Sequence, residues 1–215
     1  MIKNLNLAGT WDFAMDPEKK GIDEHIYSKE FSDNIPLPGT ISMAQKGTPS
    51  DVKETGFLTD PYLFEGYAWY AKEIDLDRTD LDKNIILYLE RTRMTKVWVD
   101  DQLVGDFDSL NTPHEYDLTP YLKQTHFRLT ILVSNVDYPT KGGHLTSPDT
   151  QTNWNGIIGE IALHIFDQCY IKNVKTFPDT KTRTVRVTFD TVNTTKEEHE
   201  LTLQTQAFLT DISGD

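Results

Sequence analysis

Phe127-Arg128-Leu129-Thr130-Ile131-Leu132-Val133-Ser134 is the stretch that decides the fold class. Phe127, Leu129, Ile131 and Val133 alternate with Arg128, Thr130, Leu132 and Ser134, so on an extended backbone the two sets emerge on opposite faces. The same period recurs at Ile161, Leu163 and Ile165, and again at Val185, Val187 and Phe189 against Arg186, Thr188 and Asp190. Leu201, Leu203, Ala207 and Leu209 share a face in the last such segment. Helical spacing is nearly absent. Further strands are predicted over 10–15, 67–76, 85–91, 96–99 and 102–107. Asp100-Asp101 fits the tight turn of a hairpin, because Asp tolerates left-handed backbone. Residues 118–122 read as one helical turn, with Thr119 as N-cap and Pro120 at the first helical position. Many short strands separated by turn residues define an all-β sandwich.

Two long stretches resist this pattern. Residues 36–65 carry Pro36, Pro38, Gly39, Gly47, Pro49, Gly56 and Pro61 with little alternation, and residues 138–156 carry Pro139, Gly142, Gly143 and Pro148 before Trp154-Asn155-Gly156. Loops beyond about 12–15 residues are uncommon in compact domains and are often functional, so a binding surface is expected here. Beyond Gln168 a second β-unit begins, with strands predicted over 170–177, 182–191 and 199–209. An immunoglobulin-like sandwich needs about seven strands. Three cannot close one and would leave exposed edges, so the natural protein is expected to continue beyond this chain.

Composition narrows the partners. Asp and Glu number 34 against 21 Lys and Arg in 215 residues, a net charge of −13. That field repels phosphate backbones, and no basic stripe is present, so nucleic acid is not an expected partner. No run approaches the roughly 20 apolar residues of a membrane span. Met1-Ile2-Lys3-Asn4 is not followed by the apolar run of a secretory signal, so a cytoplasmic location is expected unless a signal has been removed, in which case the periplasm or the exterior is. The single cysteine, Cys169, excludes an internal disulfide, and its apolar surroundings predict a buried strand residue. The six histidines, His114 and His144 included, show no metal-site spacing, and no cofactor is expected. Asn193-Thr194-Thr195 is a glycosylation sequon only in a secreted eukaryotic setting.

Six segments in order carry a resemblance. They are Leu7-Ala8-Gly9-Thr10-Trp11-Asp12-Phe13, Leu37-Pro38-Gly39-Thr40, Gly66-Tyr67-Ala68-Trp69-Tyr70, the run from Lys96 to Gly105, the run from Pro113 to Thr119, and the run from Thr150 to Ile161. Together they resemble the N-terminal sugar-binding domain of glycoside hydrolase family 2, which includes β-galactosidases, β-glucuronidases and β-mannosidases. The resemblance implies a jelly-roll sugar-binding domain over 1–167 and the N-terminal part of an immunoglobulin-like domain over 168–215. In that family a (β/α)₈ barrel follows, carrying the two glutamates of a retaining double displacement. No βαβ alternation occurs in this chain, so none of its carboxylates is cast as catalytic. Asp100, Asp101, Glu160, Glu197 and Glu198 are read as turns or solvated strand faces.

Sugar sites need planar polar groups for hydroxyl pairs and an aromatic face for the C–H side of a ring. The run from Asp149 to Asn155 supplies both. By the resemblance it approaches the terminal sugar, which makes Asp149, Asn153 and Asn155 the first candidates. Asx-turns are the competing reading for the two asparagines, and packing over the sandwich edge is the competing reading for Trp154. Asp60, Tyr62 and Phe64 lie in the other long loop, where either ring could stack on a sugar or anchor the loop. Arg91 and Arg93 end a strand. Each could meet a substrate carboxylate, or pair with Glu90, Asp108 or a neighbouring domain. Gly156 and Gly159 are read as positions of positive φ or close approach, and Trp11, Trp69 and Trp98 as core. The expected function is a non-catalytic module of a retaining exo-β-glycosidase that supports the barrel and lends loop residues to its β-glycoside pocket. An autonomous carbohydrate-binding module and a purely structural sandwich are the alternatives.

Overall fold

A computed structural model describes residues 3–52, 55–56, 58–140, 152–206 and 208. The chain divides into two compact units, 1–168 and 169–215. In the first unit the strands are β1 (Lys3–Asn6), β2 (Gly9–Asp16), β3 (Asp33–Leu37), β4 (Gly39–Thr40), β5 (Thr48–Pro49), β6 (Tyr62–Leu63) and β7 (Tyr67–Asp75). They continue as β8 (Asn84–Leu89), β9 (Met94–Val99), β10 (Gln102–Phe107), β11 (His114–Asp117), β12 (His126–Ser134), β13 (Gly156–Ile157) and β14 (Ile161–Phe166). Strands β15 (Cys169–Asp179) and β16 (Thr184–Asn193) form the second unit's hairpin.

The first unit is an all-β sandwich. One sheet runs β1-β14-β8-β11 and the other β10-β9-β12-β7-β2-β3, and every pairing is antiparallel. Their facing sides share one core, to which the six-stranded sheet contributes Trp11, Phe13, Tyr70, Val97 and the alternating set Phe127, Leu129, Ile131 and Val133. Leu87, Leu89, Tyr116, Ile161, Leu163 and Ile165 come from the other sheet. Burying a side chain of this size stabilises the fold by roughly 1.5–3 kcal/mol relative to leaving it exposed.

Leu132 belongs to the opposite set and is buried too. A second cluster on the outer face of the sheet joins Leu132 to Trp69 and Trp98, with Ile22, Ile26, Tyr27 and Phe31 from the segment between β2 and β3 packed on it. Tyr27 lies flat on Trp98, centroids 5.1 Å apart and planes 8° apart. Asp16 anchors the segment's start by accepting the Gly21 N–H at 2.8 Å and the Lys20 N–H at 3.1 Å. Central strands β7 and β12 are therefore covered on both sides. Trp11 lies in the main core, while Trp69 and Trp98 lie in this outer one.

Three local expectations are corrected. Thr119 is the first residue of its 3₁₀ turn (Thr119–Tyr121) and not its cap. The Asp117 carboxylate accepts the Thr119 N–H at 3.0 Å, which frees the Thr119 hydroxyl to accept the Ile85 N–H at 2.9 Å. Cys169 is half-buried at the start of β15 rather than fully buried. The strand expected over 199–209 is not formed among the described residues 199–206 and 208.

Candidate functional site

The two long loops are fastened to each other. Strand β4 in the first pairs with β13 at the end of the second, Thr40 opposite Gly156 and Gly39 opposite Ile157. Gly156 has φ of 150°, and a Cβ there would collide with Gly39 O and lie 2.8 Å from Thr40 Cα. Both the positive φ and the close approach demand glycine. At Gly159 only close approach acts, because a Cβ would meet the Glu90 side chain and carbonyl at 2.5–2.7 Å.

Asn135, wholly buried just past β12, is the bolt between the loops. Its amide nitrogen donates to Phe64 O at 2.8 Å and to Asn153 O at 2.7 Å, and its amide oxygen accepts the Gly66 N–H at 3.1 Å. Arg93 is a second bolt, only 2% exposed. It donates to Trp154 O at 3.2 Å and Thr152 O at 3.3 Å, and its guanidinium lies 4.2 Å from the Trp154 ring centroid and 5.8 Å from that of Tyr138. Burial lowers the Arg93 pKa, and Tyr138 and Asp60 oppose that shift. The Arg93 fork holds loop carbonyls, and Trp154 stacks on that fork rather than standing open as a sugar platform.

Asn155 is withdrawn from the surface. It is 2% exposed, its Oδ1 accepts the Tyr70 hydroxyl at 3.1 Å, and its Nδ2 donates to Val133 O at 2.9 Å. Its backbone oxygen also accepts the Ile41 N–H at 3.0 Å. Every polar atom of that amide is spent inside, which corrects both the sugar contact and the Asx-turn expected there. Arg91 points elsewhere. It is exposed, has φ of 49°, lies 3.5 Å from Glu90 and borders a shallow hollow with Glu160 and Asn4 at the margin of the four-stranded sheet. Asp149 lies outside the described residues.

What remains forms a cleft. Thr48, Asp60, Leu63, Phe64, Glu65 and Asn153 line an open hollow of about 280 Å³ between the loops. Asn153 Nδ2 donates to Glu65 Oε1 at 3.2 Å, and Asn153 Oδ1 accepts the Tyr138 hydroxyl at 3.2 Å. Tyr62 pairs with Pro49 in the β5–β6 ladder, half-buried, and Phe64 packs on the core as the anchor of its loop. The structure thus brings Asp60 and Asn153 together, adds Glu65, and sets Arg91 and Asn155 apart from them. Asn135, Glu65 and Tyr138 lie outside the set predicted from sequence. A signal existed for Asn135, a polar residue at which the apolar alternation of β12 stops.

Among the described residues the cleft presents the Asp60 and Glu65 carboxylates, the Asn153 amide and the Thr48 hydroxyl beside apolar Leu63 and Phe64, groups that can exchange hydrogen bonds with hydroxyls. Among the described residues no group of three or more His, Cys, Asp or Glu could hold a metal ion. An all-β sandwich with a polar cleft held between its loops is the class of protein that fold and site define. The chain belongs to the family described as glycosyl hydrolases family 2, sugar binding domain, which matches residues 2–166. It is 29% identical over 124 residues to a β-galactosidase of Thermoanaerobacter pseudethanolicus, covering 55% of this chain and 16% of that protein. Over 133 residues it is 26% identical to a β-glucuronidase of Paenibacillus borealis, covering 61% of this chain and 21% of that protein. A solved β-glucuronidase of an uncultured Clostridium sp. shares the fold with a TM-score of 0.67 at 20% identity, over 88% of this chain and 34% of its own. The chain thus matches only 16% and 21% of the length of these two curated relatives.

Proposed function

We propose that the chain is the non-catalytic N-terminal module of a retaining exo-β-glycosidase, and that it lends Asp60, Glu65 and Asn153 to the rim of the substrate pocket. The observation that carries this reading is the fastening of the two long loops by Asn135 and Arg93 beneath one polar cleft. Fixed donors and acceptors cost little reorganisation when a hydroxylated ligand arrives. The β-glycoside substrate is supported by the names of the relatives, and the barrel that would complete the pocket by the small share of their length that this chain spans. Residues 169–215 are read as the opening strands of an immunoglobulin-like domain. In register, Val174 faces Phe189, Thr176 faces Val187 and Pro178 faces Val185, so the apolar members form one exposed face that a further layer would cover.

The pure 215-residue chain is expected to show no turnover of nitrophenyl β-galactoside or β-glucuronide. Hydrolysis by this chain alone would overturn the reading. Asn153→Ala in a protein that also carries the barrel should raise KM, while an unchanged KM and kcat would favour a purely bracing role, as the bonds of Asn153 to Glu65 and Tyr138 allow.

A further inference from the structure

The names of the relatives include enzymes of neutral sugars and of uronates, and the charge of the loop cleft bears on which of the two this chain meets. We propose that Glu65 is a specificity-determining residue that makes the cleft select a neutral pyranoside over a uronate, an inference that rests on the cleft being the rim of a substrate pocket. Glu65 is exposed, two residues before β7, and its position is fixed from several sides. The buried Asn135 amide accepts the Gly66 N–H at 3.1 Å and donates to Phe64 O at 2.8 Å, so the residues on either side of Glu65 hang from one side chain. Gly66 has φ of 143°, and a Cβ there would lie 2.7 Å from Pro17 Cα and 2.8 Å from Asp16 O, so the chain leaves Glu65 along a path that demands glycine. Asn153, whose carbonyl Asn135 also holds at 2.7 Å, donates its Nδ2 to Glu65 Oε1 at 3.2 Å. The carboxylate is thereby held toward the other loop, across the hollow that both residues line.

Charge sets Glu65 apart from its neighbours. Asp60, the other carboxylate of the cleft, has a positive neighbour in Arg93, whose pKa it holds up against the lowering effect of burial. That guanidinium is itself committed to the carbonyls of Trp154 and Thr152 and lies against the Trp154 ring. Arg91 borders a different hollow. Among the described residues Glu65 has no lysine or arginine partner, and no cation lines the cleft. Arg93 and Asp60 offset each other, which leaves the exposed Glu65 carboxylate as the uncompensated charge, in a chain whose net charge of −13 has the same sign. A neutral ring brings hydroxyls that donate to Glu65 and Asp60 and that exchange hydrogen bonds with the Asn153 amide and the Thr48 hydroxyl. A uronate brings one more carboxylate, which is repelled by Glu65 and finds no fork to pair with among these groups.

Titration of the ¹⁵N-labelled 215-residue chain with methyl β-D-galactoside, methyl β-D-glucoside and methyl β-D-glucuronide, followed by NMR, tests the assignment. At about 0.01 M salt, saturable shifts are expected at Asp60, Glu65 and Asn153 with one or both neutral glycosides, and the glucuronide should bind about fivefold or more weakly. Raising the salt to about 1 M, where the Debye length falls from about 30 Å to about 3 Å, should narrow that gap. Glu65→Gln keeps an oxygen for Asn153 Nδ2 and removes the charge, so it should strengthen the glucuronide about fivefold and leave the neutral sugar within about twofold. Glu65→Lys should go further and favour the glucuronide. Thermal unfolding establishes that each variant is folded. The proposal is overturned by a glucuronide that binds as tightly as the neutral sugars at low salt, by a folded Glu65→Gln with an unchanged ratio, or by the absence of shifts at the cleft up to the solubility of the sugars. The first two results leave the rim function standing, because the cleft still answers to sugar, and the third leaves it to the KM of Asn153→Ala in the protein that carries the barrel. An unchanged KM there removes that function and this inference together.

Discussion

Arg93 shows what a single residue contributes. Its planar fork meets two carbonyls of one loop and an indole face at once, an arrangement that an ammonium cannot reproduce. Arg93→Lys should therefore destabilise the sandwich by about 2–3 kcal/mol despite keeping the charge. The measurement is the urea midpoint, together with faster chymotryptic cleavage at Tyr138 or Trp154. A variant as stable as the parent would mean that the guanidinium geometry is incidental. Arg93 and Asn155 were visible in the sequence as polar residues beside a long loop, but their direction was not. Asn155 is fixed by Tyr70 and Val133, 85 and 22 residues away, and local pattern carries no information about such partners. Asp60 and Asn153 line the hollow between the loops, a placement that their positions in the two long loops suggested.

At the level of elements, the hydrophobic period located β2, β7, β8, β9, β10, β12 and β14 to within about two residues, because burying one face forces that period, but it missed the strands β1, β3 and β11, each only four or five residues long. What it could not show was the cover on the other face. Leu132, Trp69 and Trp98 sit on the face that simple alternation assigns to solvent, and the segment that hides them has too few regular contacts to announce itself. Strand β11 carries a prediction of its own. His114 is buried and bonded on both ring nitrogens, and burial lowers its pKa below the ordinary 6.5, against the raising effects of the Ser109 carbonyl and Asp108. The unfolded chain therefore takes up this proton at a higher pH than the folded chain does. The stabilising contribution is complete above about 6.5 and is lost as pH falls below it. His126 works in the opposite sense, since the hydrogen bond it donates to the Asp75 carboxylate raises its pKa and favours the folded state in acid. Urea midpoints at about pH 7.5 and 5.5 should fall more for the parent than for His114→Gln, by at most about 1.4 kcal/mol per pH unit. Equal falls would sink the assignment.

At the scale of the whole molecule, two units of different character share the chain. The first closes its own core, whereas the second leaves Val174, Val185, Val187 and Phe189 on one open face of a hairpin. A two-stranded hairpin is marginal in water without a layer to pack on. Truncation after Gln168 should accordingly leave a cooperative unfolding transition within about 1 kcal/mol of the parent's and reduce the binding of a hydrophobic dye. Loss of the transition would show that the first unit depends on the second. The order of the six motifs made the first unit's family legible, whereas the alternation that begins at Leu201 is not matched by a strand among the described residues 199–206 and 208. The bolts beneath the loop cleft have one more consequence. Asn135 and Arg93 fix the path of the loops from below, while Asp60, Glu65 and Asn153 supply the chemistry above. If the cleft serves the proposed function, a division of this kind lets its surface residues be exchanged for a different sugar while its outline is inherited unchanged, so that evolution can vary taste without redrawing the mouth.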